Sequence, residues 1–417
     1  MFRIVLICML AGLVGCGGSG GSTNSNATGT SVTITFSGTP PSVVALQKGT
    51  DAFAAASLQG NQLNFALPSG TTKFAFAWVC GPFENMIEAT TQDNLGTIDG
   101  CGAPSPTPTP LPKGSATGNV DASAIAGASG GISVIGKAGL GGFLPSASSF
   151  SFNLMMLDGL NDIAVTAFDN NGQAAAVRIL RAQTVPGPIN GGNTITLGPG
   201  DLVSAQPVSF TNVPAGFGFP PNTSAEYVTA GGTNVLLSIG NVAQYLAVPA
   251  AAAQSGDGYL FVATTGNDNS SSLMYVFQTT TNGGGPVTIA LPNPWVYTGP
   301  SPGAFPTFAF NYSGFSGVPT TSQTLSLQWP TNPVELPNPP PPQFFLNVLA
   351  TPAYGASTIT IPNLTAVPGF FAPATGNQVS WKAFINGGAA SSVAPSPSIQ
   401  PNGLFVVVEN LGQYMVP

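Results

Sequence analysis

Asp162-Ile-Ala-Val-Thr-Ala-Phe-Asp-Asn-Asn-Gly-Gln-Ala-Ala-Ala-Val-Arg-Ile-Leu180 sets two short apolar runs on either side of Asn170-Asn171-Gly172. Asn-Gly between such runs is the strongest short-range signal of a β-hairpin, because a type I′ turn needs positive φ at both central residues. The same grammar repeats outward in both directions. Val32, Ile34 and Phe36 alternate with Thr33 and Thr35, as do Leu63, Phe65 and Leu67 with their neighbours. Phe74, Phe76 and Trp78 put aromatics on one face, against Ala75, Ala77 and Val79 on the other. Phe150, Phe152, Leu154 and Met156 continue the pattern. Period-2 runs punctuated by Gly, Pro, Asn and Asp read as half-buried antiparallel strands and their turns. The chain is therefore predicted to be all-β, a tandem of antiparallel β-sandwich modules.

Composition narrows the chemistry. The 417 residues include 53 Gly and 40 Pro but only 8 Lys+Arg, 15 Asp+Glu and no His, so 6% are charged where about 25% is usual. Without histidine there is no Ser-His-Asp or Cys-His nucleophile system, no His-ligated zinc and no haem held by a proximal His. A formal charge of −7 also excludes the basic groove whose counterion release drives nucleic-acid binding. So few titrating groups predict a nearly flat stability profile between about pH 5 and 8.

Met1-Phe2-Arg3 opens the chain with a positive charge, Ile4 to Gly15 form an apolar stretch, and Leu13-Val14-Gly15-Cys16 closes it. This is signal-peptide anatomy, and the stretch is too short to span a bilayer. The tetrad resembles the lipobox of bacterial lipoproteins. The resemblance implies cleavage after residue 15, a lipid on Cys16, membrane attachment through it, and a bacterial cell envelope location at the outer membrane or cell surface. Residues 16–30 read as a Gly/Ser tether with a reach of about 20 Å. Cys8 leaves with the signal, so Cys80 and Cys101 remain, and an even remainder in an exported chain points to a disulfide. Further soft ligands for a metal are missing.

Further along, the chain divides into a first β-sandwich at 31–102, a Pro-rich linker at 103–113, a second sandwich at 114–200, a β domain at 201–295 and a fourth sandwich at 296–417. The linker, Ala103-Pro-Ser-Pro-Thr-Pro-Thr-Pro-Leu-Pro112, favours polyproline II and gives about 30 Å of semi-rigid spacer. One segment, Val242 to Val248, is a helical candidate of a turn or two, stopped by Pro249. The Leu67 to Cys80 stretch looks like the late hairpin of small transthyretin-like or immunoglobulin-like modules. Thr358 to Gly369 resembles the strand and crossing loop of fibronectin type III modules, although Pro339 to Pro342 departs from that spacing and reads as an exposed loop. In layout the chain is similar to bacterial surface lipoproteins carrying immunoglobulin-like repeats, which implies architecture and address rather than activity.

Candidate chemistry is sparse. The carboxylates closest in sequence are Glu84/Glu88, Asp93/Asp99 and Asp158/Asp162; a glycosidase pair must face across about 5–10 Å, which spacing does not test. Lys48, Lys73, Lys113, Lys137 and Lys382 sit in no nucleophile motif. Arg178 and Arg181 could bind an anion or pair with Asp162 or Asp169. A structural calcium could use Asp158 to Asp162, Asp169 to Asn171 or Asn267 to Asn269, none with EF-hand spacing; no other cofactor, no catalytic residue and no other metal site is expected. Trp295, Tyr297 and Trp329, with Tyr227, could form a sugar-binding platform or pack in cores. The expectation is a membrane-anchored, non-enzymatic lipoprotein of tandem β-sandwiches, serving as an envelope structural or adhesive module with a glycan or another envelope protein as partner. The alternative is a carbohydrate-binding or carbohydrate-processing surface lipoprotein, which requires an exposed aromatic strip.

Overall fold

The computed structural model describes residues 29–102, 113–388 and 403–417, apart from 241–242, 268–270, 282–283, 296, 298, 301–302, 313, 316–317, 331–342 and 355–356. The signal segment, Cys16, most of the tether and of the Pro-rich linker, and Pro339 to Pro342 lie outside the described residues. So do Asp268 and Asn269 of one calcium candidate.

The fold is all-β: among the described residues the only helical elements are short 3-10 turns. The hairpin that opens the sequence reading pairs Gly159–Phe168 with Ala174–Val185, Val165 opposite Arg178 and Ala167 opposite Ala176. Its turn differs from the type I′ expectation. Gly172 N–H donates to Asp169 C=O at 3.0 Å and Asp169 N–H to Gln173 C=O at 2.8 Å, while Gly172 sits at φ 75° and Asn171 is not at positive φ. That is a type I turn closed by a left-handed glycine. The Asp169 carboxylate selects it by accepting from the N–H groups of Asn171 and Gln173 at 2.8 and 2.9 Å.

Two compact units replace the four successive modules read from the sequence. The first comprises residues 1–107, 295–387 and 408–417; the second comprises 108–294 and 388–407. The 31–102 segment and the 296–417 segment, apart from 388–407, are thus parts of one body. Their junction is parallel pairing of Phe83–Thr90 with Gln343–Ala350, Glu84 opposite Leu346 and Ile87 opposite Leu349. Around it the strand order is Gln378–Gly388, Thr320–Pro330, Gln343–Ala350, Phe83–Thr90, Lys73–Cys80, Val43–Lys48 and Ala54–Ala56. One face of this sheet packs on a three-stranded sheet made by Gln62–Ala66, Ser31–Ser37 and Thr97–Asp99. Ile34, Phe36, Leu63, Phe74, Phe76, Trp78 and Ile87 fill the space between. Phe74, Phe76 and Trp78 share that face as the alternation requires, with ring centroids 6.4 and 5.5 Å apart. Cys80 and Cys101 lie at disulfide distance, S–S 2.03 Å, at the edge of this core.

In the second unit, Lys113–Asp121 and Ser149–Leu157 face the sheet of Gly131–Ile135, Gly159–Phe168 and Ala174–Val185. Ala116, Val120, Ile132, Val134, Phe152, Ile163 and Val165 are buried between them, each valine, isoleucine and phenylalanine contributing about 1.5–3 kcal/mol when fully covered. The rest of the unit sets the strands Asn222–Val228, Asn234–Gly240, Gly258–Gly266 and Ser272–Thr280 beside a smaller sheet of Ser204–Thr211, Gln244–Ala247 and Val287–Ala290. Gln244–Ala247 overturns the helical expectation for Val242 to Val248. Tyr245 and Ala247 are buried while Gln244 is exposed and Leu246 half-buried, so the period is 2, and Tyr245 packs edge-on against Phe261 at 4.8 Å.

Candidate functional site

Three clusters gather the polar groups that the sequence singles out. The first lies in the first unit. Glu84 alternates with Asn85 and so points away from the core that holds Ile87 and Ala89. Across the sheet it stands opposite Leu346, which stands opposite Leu327, with Trp329 two residues further along the same face. Segment 361–373 covers these side chains, and together they line a cavity with Leu364 and Phe371. It leaves about 10 Å³ for the centre of a water-sized sphere, room for a single small group. Glu84 is 2% exposed and accepts a hydrogen bond from the Phe371 N–H. Burial pushes its carboxyl up to about 7, against the smaller opposing effect of that bond. The Trp329 indole N–H is buried with no hydrogen-bond partner among the described residues.

Glu88 lies four residues along the same strand. Burial raises it too to about 7, and the Lys73 charge pulls the other way. Lys73 Nζ stands 4.6 Å over the Tyr354 ring, and Glu88 Oε2 has no hydrogen-bond partner among the described residues. At about 3.3 Å per residue the two glutamate Cα atoms are some 13 Å apart, and their carboxyls serve separate surroundings. They do not make a facing glycosidase pair. The other two candidate pairs separate as well. Asp93 accepts from Thr90 N–H at 2.7 Å and Thr351 Oγ1 at 2.7 Å, whereas Asp99 accepts from Ser37 Oγ. Asp158 is exposed and Asp162 belongs to the cluster described next.

Arg181, in the second unit, is the centre of that cluster. Its Nη1 donates to Asp162 at 2.9 Å and to Asp257 at 3.2 Å, and its Nη2 to Asp257 at 2.5 Å and to the Ala252 C=O at 2.6 Å. Asp257 also accepts from Tyr227 OH at 2.5 Å and from the N–H groups of Ala230 and Gln254 at 2.8 and 2.9 Å. Burial works to raise Asp257, but the Arg181, Tyr227 and backbone donors together hold it below the usual carboxylate range. Burial and the Asp257 carboxylate push the Tyr227 hydroxyl well up. With two carboxylates around one guanidinium, the cluster is closed to an anion. Arg178 makes a separate, more exposed fork to Asp201 at 2.9 and 2.7 Å. Pairing is thus the fate of both arginines: Arg181 takes the expected Asp162, while Asp201 and Asp257 are partners that sequence reading missed.

The aromatic platform is corrected by burial. Trp295 and Trp329 are 4% and 2% exposed, and Tyr227 is 1% exposed, so none of the three contributes to a surface strip. Trp295 and Tyr297 stack at 5.5 Å and continue through Phe308, Phe310 and Trp381, an interior packing in which edge and face contacts satisfy the rings. Trp329 joins Glu84 instead. Among the described residues, Asp158, Asp162 and Asp169 belong to no group of three or more His, Cys, Asp or Glu that could hold a metal ion. Against the flat pH profile expected from composition, Glu84 and Glu88 are buried, and burial raises both to about 7, Glu88 despite the opposing Lys73 charge.

A period-2 set, Glu84-x-Met86-x-Glu88, was the available signal that these carboxylates face a covered surface. Nothing local to Arg181 marks Asp257. No family model and no curated protein sequence matches the chain.

Proposed function

We propose that the protein is an exported, lipid-anchored bacterial envelope component that acts without catalysis, as a structural or adhesive module held to a membrane through Cys16. The observation that carries this reading is Leu13-Val14-Gly15-Cys16 at the end of the apolar Ile4 to Gly15 stretch, followed by a Gly/Ser tether. A cysteine pair at disulfide distance supports an oxidising destination. The non-enzymatic part is supported by the engagement of the polar clusters: the arginines are tied to aspartates, and the two buried glutamates stand apart. A carbohydrate-binding reading loses its main support with the burial of Trp295 and Trp329.

Expression of the whole chain in a bacterium, with metabolic labelling by a radioactive fatty acid, tests the anchor. The expected result is label on the wild type in the membrane fraction and none on Cys16→Ala, which should appear soluble or unprocessed. Unlabelled wild type would overturn the reading. Proteinase K on intact against permeabilised cells then assigns the side: digestion in intact cells is expected for a surface module, and protection until permeabilisation would replace that with a periplasmic one.

A further inference from the structure

The face of the first unit's sheet that carries Glu84 and Trp329 is covered by an irregular segment, residues 361–376. Its start is held by Ile361 N–H donating to Pro306 C=O at 3.0 Å and its end by Gly376 N–H donating to Val416 C=O at 2.9 Å. In between it folds on itself, with Val367 N–H on Leu364 C=O and Phe370 N–H on Val367 C=O. Leu364, Val367 and Phe370 are buried, and Phe371 stacks on Phe344 with centroids 4.1 Å apart. The polar link from its middle to the sheet beneath is the Phe371 N–H on the Glu84 carboxyl.

We propose that residues 361–376 form a proton-latched strap, clasped on the sheet while Glu84 is protonated and lifted when Glu84 ionises, uncovering Trp329 and Phe344. The cavity explains why. Among the described residues that line it with Glu84, all are apolar or aromatic; those on the neighbouring strands are Leu346, Leu327 and Trp329, and those on the strap are Ile361, Pro362, Leu364, Phe371 and Pro373. Among the described lining residues no cation offsets a carboxylate there. The nearest titratable groups on this strand are Glu88 and the Lys73 and Tyr354 set around it, while Lys382 and Glu409 pair with each other at 3.9 Å. An ionised carboxylate in such a place is driven toward water, and the cavity has room for only about one. The unpartnered Trp329 indole N–H gains a water partner by the same opening. The strap is independent of lipid anchoring.

Hydrogen exchange of the full chain, read by mass spectrometry at pH 5.5 and 8.5 and corrected for intrinsic rates, tests this. Taking Glu84 at about 7 when covered and near 4.5 when uncovered, the opening equilibrium of the strap should rise about 30-fold between those pH values. Glu88→Gln should keep that response and Glu84→Gln should abolish it. Equal protection of 361–376 at both pH values in the wild type, or an undiminished response in Glu84→Gln, would overturn the proposal. If Glu84→Gln does not fold, acrylamide quenching of tryptophan emission decides. The wild type should gain a quenchable component at pH 8.5 that Trp329→Phe lacks, and no such difference would count against the strap.

Discussion

Replacing Asp257 by Ala removes the carboxylate on which five hydrogen bonds converge: two from Arg181, one from Tyr227 and two from backbone N–H groups. Asp257 is 6% exposed, and the Arg181 side chain is 18% exposed. Breaking a buried pair in this way costs about 3–5 kcal/mol, because the surviving charge and donors stay desolvated. The Arg178–Asp201 pair is the internal control. Its arginine side chain is 38% exposed, so Arg178→Ala should cost about 1 kcal/mol or less. For a unit of roughly 200 residues each kcal/mol moves the midpoint by about 2–4 °C. Asp257→Ala should therefore lower the second unit's melting transition by about 6–20 °C and Arg178→Ala by no more than about 4 °C. Differential scanning calorimetry of the mature protein separates the two. A double-mutant cycle of Arg181→Met with Asp257→Ala should return a coupling of a few kcal/mol. Equal shifts for Asp257→Ala and Arg178→Ala, or a coupling near zero, would refute the ranking by burial.

Two further outcomes follow from the first unit. Glu84 and Glu88 are raised to about 7 when folded, so the folded state binds protons that the unfolded chain releases above about 4.5. Stability is then fully present below that value and lost as pH rises through about 7, by about 2.5 kcal/mol per glutamate between pH 5 and 8. Urea titrations of the wild type and Glu88→Gln at both pH values check this; the variant should lose about half of the dependence, and a flat wild-type profile would exclude it. Reduction of Cys80–Cys101, which spans a sequence separation of 21, should cost about 3 kcal/mol in the loop-entropy model. Melting with and without reductant, set against Cys80→Ala with Cys101→Ala, reads it.

Local structure was legible where local chemistry decides it. The Gly159–Phe168 and Ala174–Val185 hairpin announces itself through alternation and Asn-Gly, although Asp169 chose a different turn. Val242 to Val248 misled because Ala-Gln-Tyr-Leu-Ala suits a helix in isolation, and only the burial of Tyr245 against Phe261 makes it a strand. The number of bodies was not legible. Parallel pairing of Phe83–Thr90 with Gln343–Ala350 leaves no local mark, since either strand reads the same with any neighbour. The same holds for Arg181: counting scarce cations drew attention to it, and Asp162 lay within reach of a guess. Asp257, 76 residues away, becomes a partner only through the fold. Trp329 shows the limit for side chains, because an aromatic residue in a β-strand carries no sequence sign of which face will be covered.

The interleaving also has a temporal side. Asn85 and Asn347 meet across the junction strands although they stand 262 positions apart in the chain, and most of the second unit is threaded through that interval. A chain delivered N-terminus first presents Phe83–Thr90 long before Gln343–Ala350 arrives. Until then one edge of that strand stays open, with Phe83 at its start and two glutamates facing a surface not yet covered. Open edges of this kind recruit other strands, and closure over so long a loop is slow. The interval between synthesis of the two strands therefore leaves that edge open, while the core of the second unit built from residues 116–197 already has all of its side chains and the rest of that unit waits for residues 388–407.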